Sequence, residues 1–332
     1  MSLEARCDLG ALMDPTSRIK RLRKRVVKAA LVPPDSSEAA LAAARSWLAH
    51  GGHPSHIWRR GRLAGDLLRG LTPVIDEDEL LVGKFSRRPL TAEEATELAN
   101  WQRYGEPATS KAYGQRAHMA IDYGRVLREG IEGVLAQIAR YRTRLDTSRP
   151  DQQEQDFFYQ GCEEALKGVV ELSDKYADLA EQQAALSKSP RRAKELRAIA
   201  ERCRKVPRKP AESFAEACQA AHFITFCMCA GNQMLLFQLG RPDRYLWLYY
   251  KRDLEAGKLT RTEALEYLDC LGFLLNEYTP RGLAVGYMVG GRDEWGNDVA
   301  NELTYLALQS IHHTRLAYPG IGLCWTDRKS VV

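Results

Sequence analysis

The sequence predicts a predominantly helical α/β protein. Three observations predict it. Residues 151–206 carry apolar side chains at intervals of three and four, the spacing that gives a helix one buried side. Serine or threonine followed three residues later by glutamate recurs at Thr91 and Glu94, Ser213 and Glu216, and Thr260 and Glu263. In each pair the hydroxyl can accept an orphan backbone N–H, and the carboxylate can reach back to the cap's own N–H. Only short apolar runs bounded by glycine or proline, at 283–289 and 320–327, read as buried strands.

In order, a helix is expected over 16–32, capped by Thr16 or Ser17 and stopped by Pro33-Pro34. Asp35 or Ser36 caps the next, which runs through 39–48 to Gly51-Gly52, and 57–69 forms a third. Thr72 to Glu79 turn the chain into the apolar run Leu80-Leu81-Val82-Gly83. Residues 90–101 are helical, and 103–115, rich in Gly, Pro, Ser and Tyr, form a long loop. Another helix covers 124–141. The pair over 151–206 breaks near 187–190, and its first member turns Phe158, Cys162 and Leu166 to the core. Residues 214–230 are apolar nearly all round and belong inside. Pro242 suits a first helical position, because its missing N–H would be unpaired there, and that helix runs through Tyr250 to a stop at Gly257. Gly290-Gly291 ends the strand at 283–289, Asp298 caps a helix, and Pro319 precedes the last strand.

Composition excludes several classes. At 332 residues with 45% hydrophobic and 27% charged residues, the chain matches an ordinary globular protein. The start has no basic region, apolar core and cleavage site in succession, and the apolar stretch 217–230 is short and interrupted by Gln219 and His222, so no membrane association is expected. Eight cysteines without a paired framework fit a reducing cytoplasm. The net charge is only +5, and the basic run 18–25 lacks aromatic interleaving, so it reads as a solvated helix face rather than a nucleic-acid footprint. No metal is expected. Gly51, Gly52 and Pro54 break the helix that would align His50, His53 and His56, Cys227 and Cys229 are two apart, and His312-His313 point different ways.

Two strings carry a family resemblance. The first is GRPDRYLWLYYKRDLEAGKLTRTEALEYL from Gly240, with Arg241, Asp243, Tyr245, Leu246, Tyr249, Tyr250, Asp253, Leu254, Gly257, Leu259 and Thr260 in place, although Leu248 stands where many relatives have proline. The second places Gly290, Gly291, Gly296, Asp298, Asn301, Glu302, Leu303, Thr304, Tyr305 and Leu306. Together they resemble the glycyl radical enzymes, relatives of pyruvate formate-lyase. The resemblance implies an incomplete α/β barrel of that family with its outer helical layer. It also implies a strand near Leu80–Gly83. The organisation it implies is an N-terminal tail at 1–15, the N-terminal part of a pyruvate formate-lyase-like domain, truncated, at 16–327, and an atypical end at 328–332.

The resemblance also implies site residues. His118, four before Asp122, stands where formate-lyase members place an arginine on the pyruvate carboxylate and diol dehydratases place histidine. Arginine offers a fixed fork of donors for a carboxylate, whereas histidine can donate, accept or move a proton. His118 therefore points to a hydroxyl- or amine-bearing substrate. Arg116, Asn232, Gln233 and Gln238 are the other substrate-binding expectations. Met234, Leu235, Leu236 and Phe237 replace the small polar set of diol enzymes and speak against a diol of the glycerol or propanediol type. No catalytic residue is assigned. Gly161-Cys162-Glu163-Glu164 copies the form of the family's cysteine loop, but in mid-helix, and the string around the radical glycine does not occur.

The expectation is thus an N-terminal fragment of a radical carbon–oxygen, carbon–nitrogen or carbon–carbon lyase or dehydratase from an anaerobe's cytoplasm, inactive alone, from a truncated or frameshifted frame. No cofactor is bound by this stretch; the family requires a glycyl radical installed by an S-adenosylmethionine/[4Fe-4S] activating enzyme. The partners expected are a small-molecule substrate and either a second copy or a complementing C-terminal fragment, with no nucleic acid or membrane. The alternative is a helical scaffold that binds a full-length homologue.

Overall fold

The computed structural model describes residues 12–29, 37–105, 119–232, 237–279 and 285–325. The helices before the sheet are α1 (Ser17–Ala29), α2 (Ser37–His50), α3 (His56–Gly70) and α4 (Ala92–Gly105). Strand β1 (Met119–Ala120) leads to α5 (Tyr123–Arg142), α6 (Pro150–Leu186), α7 (Pro190–Lys205) and α8 (Phe214–Asn232). Strand β2 (Phe237–Gln238) is followed by α9 (Pro242–Tyr245), α10 (Trp247–Glu255) and α11 (Arg261–Tyr278). Strand β3 (Gly286–Gly290), α12 (Glu302–Thr314) and β4 (Gly320–Cys324) complete the order. Of the described residues, 67% are helical.

The four strands form one parallel sheet in the order β1-β2-β3-β4. Each joins the next through helices, the arrangement of an α/β barrel wall. Met119 pairs with Phe237, Gln238 with Gly286, and Gly286 through Gly290 with Gly320 through Cys324. One core cluster runs from Ile19 to Tyr318 and holds Tyr176, Phe214, Phe223, Phe226 and Phe273. Among the described residues, no helix is long and apolar enough to cross a membrane.

The helix-start reading holds at the atomic level. Glu94 N–H donates to Thr91 Oγ1 at 3.2 Å while Thr91 N–H donates to Glu94 Oε2 at 2.9 Å. Thr260 and Glu263 exchange the same pair. At Ser213 the hydroxyl accepts from Glu216 N–H at 3.2 Å, but the Glu216 carboxylate reaches Glu212 N–H instead, at 2.6 Å. Asp253 takes the next donor, Phe214 N–H, at 2.7 Å.

Five expectations need correction, the last of them in the packing of α3 on α6. Leu80–Gly83 is not a strand. Among the described residues no strand lies beside it, and helix side chains supply the missing ladder: Val82 N–H and C=O bond the Gln219 amide at 3.0 and 2.7 Å, and Lys84 bonds the Tyr176 hydroxyl through both backbone groups. The helix opened by Pro242 breaks at Leu246 into α9 and α10. Asp298 does not cap α12; Asn301 does, accepting from Leu303 N–H at 2.9 Å, while Asp298 accepts from Ala300 N–H in the preceding turn. The basic run 18–25 is a solvated face only at Lys20, Arg21 and Lys24. Arg18 is buried against Glu195, Arg21 holds Asp78 through two hydrogen bonds, and Arg25 pairs with Asp76, Glu79 and Glu277.

Helices α3 and α6 meet backbone to backbone. A Cβ on Gly61 would lie 2.2 Å from the Gly161 carbonyl oxygen, and one on Gly168 would lie 2.7 Å from Gly65 Cα. This contact fixes which side of α6 is buried, namely Gly161, Gly168, Val169, Leu172 and Tyr176. Phe158 is therefore 45% exposed and Cys162 only half-buried, which rotates the apolar side away from the Phe158–Cys162–Leu166 line read from spacing.

Candidate functional site

Parallel strands present alternate residues to opposite faces, and residues paired in register share a face. One face of this sheet carries Phe237, Tyr287 and Val289, buried under the helices, with Ile321 half-buried and Leu323 exposed on β4. The other carries Ala120, Gln238, Gly286, Met288, Gly290, Gly320, Gly322 and Cys324. Gln238, Ala120 and Gly320 on it are exposed, and Met288 is 44% exposed. A parallel sheet is ordinarily covered on both sides. Here the second side is open and is the candidate site.

Its composition follows from close contacts. A Cβ on Gly286 would meet the Gly320 carbonyl at 2.4 Å, so β3 and β4 need glycine there. A Cβ on Gly322 would fall 2.3 Å from Met288 Sδ, because the methionine lies across that glycine. Gln238 is the polar side chain of this face, offering an amide donor and acceptor beside an otherwise apolar or bare backbone surface.

The end of β3 is locked by the two sequence strings. Asp243, 1% exposed, accepts from Gly290 N–H at 2.6 Å and from the Thr304 hydroxyl at 2.9 Å through one oxygen. The Arg241 guanidinium donates to the Gly290 carbonyl. Asn301 closes the circuit, donating to the Asp243 carbonyl at 2.7 Å. Gly290, at φ +72°, turns the chain where a side chain would be strained. Below β2, the Tyr123 ring stacks on Tyr245 at 5.0 Å, and its hydroxyl lies 2.8 Å from Thr225 Oγ1. The strings thus hold strand ends together.

Of the residues expected to bind substrate, Gln238 is placed on the open face. His118, Arg116 and Gln233 lie outside the described residues, and Asn232 closes α8 with its side chain outside them. The reading of spacing missed Met288 and Cys324. The alternation of glycine at 286, 290, 320 and 322 was the signal that could have found them. Cys162 does not fit a catalytic thiol: it sits in mid-α6, and burial, then Glu163, raise its pKa above the ordinary thiol range. A nucleophilic thiol needs a partly exposed setting that favours the thiolate. Burial likewise pushes the core thiols of Cys203 and Cys270 up to about 12.

Among the described residues, one acidic group has cation-site geometry: Asp76, Glu79 and Glu277 bring carboxylate oxygens within 4.8 Å of one another. The Lys84 ammonium, 3% exposed, occupies that centre. It bonds Asp76 and Glu79 and stands 3.2 Å from Glu277. The group is an internal ion-pair hub joining residues 76–84 to α1 and α11. Burial raises the Glu277 pKa against the pull of Lys84.

The profile of the pyruvate formate lyase-like family matches residues 105–330. Isethionate sulfite-lyase of Oleidesulfovibrio alaskensis is 33% identical over 216 residues, covering 60% of this chain and 26% of that protein. (2S)-3-sulfopropanediol dehydratase of Klebsiella oxytoca is 26% identical over 222 residues, covering 63% and 27%. Among solved structures, the B12-independent glycerol dehydratase of Clostridium butyricum superposes with TM-score 0.83 at 23% identity, over 94% of this chain and 48% of that one. A glycyl radical enzyme from Archaeoglobus fulgidus gives 0.80 at 25% identity, over 92% and 48%. The chain thus spans about a quarter of the curated relatives and about half of the solved ones. With the barrel-type sheet, the two interlocked strings and the profile match in agreement, the chain belongs to the pyruvate formate lyase-like family of glycyl radical enzymes.

Proposed function

We propose that these 332 residues supply one wall of the substrate chamber of a glycyl radical lyase or dehydratase, and that they carry no turnover by themselves. The observation that carries this reading is the open, glycine-rich face of the sheet, edged by the Arg241–Asp243 lock. The named relatives, a sulfite-lyase and dehydratases, support carbon–sulfur or carbon–oxygen cleavage more than pyruvate chemistry. In this reading Gln238 orients a neutral hydroxyl or amide of the substrate, Met288 and the bare backbone exclude water, and His118 adds a proton donor or acceptor. The radical glycine and its cysteine partner come from outside these residues, together with the activating enzyme that installs the radical; that group supplies hydrogen abstraction. The reaction takes place in the cytoplasm of an anaerobe.

The test is anaerobic incubation of the purified chain with a family activating enzyme, S-adenosylmethionine and reductant. No glycyl radical signal and no product from isethionate or small diols are expected. Adding the part of isethionate sulfite-lyase that this chain does not cover should restore turnover, and Gln238→Ala should lower it about tenfold, the effect of one lost hydrogen bond to substrate. A radical signal or product from the chain alone refutes the reading. A second reading, a scaffold that binds an intact relative, is favoured by β4, which pairs with β3 on one side and has no partner strand on the other among the described residues. An exposed strand edge recruits another chain. Co-purification with an intact relative, without complementation of the missing part, separates the two.

A further inference from the structure

The segment before α1 crosses α11 and α12. Met13 N–H donates to Gln309 Oε1 at 3.1 Å, and the Thr16 hydroxyl bonds Glu266. Between these anchors stands His313, near the end of α12 and 4% exposed. Its Nδ1 lies 2.8 Å from Asp269 Oδ2, and its Nε2 lies 2.7 Å from the Met13 carbonyl oxygen.

The chemistry of the two neighbours decides the protonation. A carbonyl oxygen only accepts, and an ionised carboxylate only accepts. A neutral imidazole has one N–H, so it satisfies one of them and turns a lone pair on the other. Both contacts are made only when the pair holds one extra proton, on the ring or shared with Asp269. A buried lone pair facing an oxygen is the arrangement that folded proteins avoid. From this geometry we propose that His313 and Asp269 form a pH-dependent latch that holds residues 12–16 across α11 and α12 when protonated and releases them when the proton leaves.

The surroundings hold that proton. Burial works against the charge on His313, but the Asp269 bond, the Met13 carbonyl and Asp14 outweigh it and raise its pKa above the ordinary histidine range. Burial raises Asp269 as well, with the Ser310 hydroxyl and Glu266 beside it. The other charged or titratable neighbours are Arg18, which reaches Glu266 from α1, Arg23, which donates to the Thr314 carbonyl, and His312 and Arg315 at the end of α12. Tyr287 from β3 and Cys270 from α11 face Asp269, and burial keeps both neutral through this range. The end of a helix favours the imidazolium further. Since α12 joins β3 to β4, the latched segment braces the crossover behind the open face.

Amide hydrogen exchange of residues 13–20 in the full chain, corrected for intrinsic rates, tests this between pH 6 and 9. The expected result is protection that falls with rising pH above about 6.5, by up to about tenfold per unit until the latched pair itself loses its proton, the signature of one proton released on opening. Asp269→Asn should flatten this slope, because the amide can donate to Nδ1 while Nε2–H keeps Met13. His313→Gln should flatten it too, with lower protection throughout. Protection in the unaltered chain that does not change with pH overturns the proposal, as does an unchanged slope in either variant. The unaltered chain decides the matter alone if a variant fails to fold.

Discussion

Acid should unfold this protein through His222 before its carboxylates titrate. His222 is wholly buried in α8, and its Nε2 lies 2.8 Å from the Gly83 carbonyl, which places the proton of the neutral ring there. Nδ1 has no hydrogen-bond partner among the described residues. Protonation would bury a charge and a donor with no acceptor, so burial takes the pKa from 6.5 down to about 4, against a smaller opposing pull from Gly83. The unfolded chain binds this proton near pH 6.5 and the folded chain does not, so stability falls as pH drops through that window. At about 1.4 kcal/mol for each pH unit, the loss approaches 3 kcal/mol by pH 4. A loss of that size is a large part of a typical stability. Urea midpoints measured every half unit from pH 7.5 to 4.5 should show the slope in the unaltered chain and a much flatter line in His222→Gln, whose amide can still donate to Gly83. His313 acts in the opposite sense, contributing stability below pH 6.5 that is lost as pH rises, but it is common to both proteins. Parallel lines for the two proteins would refute the reasoning.

Three further outcomes follow from the packing and the ion pairs. Gly61→Ala should destabilise by about 1–3 kcal/mol in thermal or urea melts, because backbone of α6 stands where the methyl must go, and this outweighs alanine's helix preference of about 1 kcal/mol. Gly52→Ala, with no atom within 4 Å of the new methyl, should be nearly neutral and serves as its control. Lys84→Met should cost about 3–5 kcal/mol at pH 7, since it strands Glu79 and Glu277 without their common cation, and part of the loss should return at pH 5 as Glu277 takes a proton. A loss under about 1 kcal/mol would show that Arg25 alone neutralises the group.

The helical layer was legible in the sequence because its signals are local. Thr91 with Glu94 and Thr260 with Glu263 form the bonds that their spacing encodes, and the break near 187–190 falls where Ser189 caps α7. The contact of α3 with α6 was not legible. Glycine inside a helix reads as a weak helix former, and only the neighbouring backbone shows why Gly61 and Gly161 are there. Leu80–Gly83 misled for a similar reason. An apolar extended run states that its backbone needs partners, not whether a strand or the side chains of Gln219, His222 and Tyr176 provide them. Gln238 was picked out as polar, but its place between Ala120 and Gly286 depends on a register that no single segment contains. The basic run 18–25 shows the limit of charge patterning, because the acids that absorb it lie more than fifty residues away in sequence, at Asp76, Asp78, Glu195 and Glu277.

Five of the eight positions on the sheet's uncovered side, Ala120, Gly286, Gly290, Gly320 and Gly322, end at Cβ or before it. A molecule resting there meets peptide groups, and peptide groups are the same whatever the residue. Mutation can retune such a surface only by filling it in, and at Gly286 the neighbouring strand forbids that, while at Gly322 the Met288 side chain would have to move aside. Chemical discrimination is therefore left to Gln238, Met288 and Cys324, and to whatever stands across the chamber from them. A wall of this kind can serve many substrates unchanged while the opposite side diversifies.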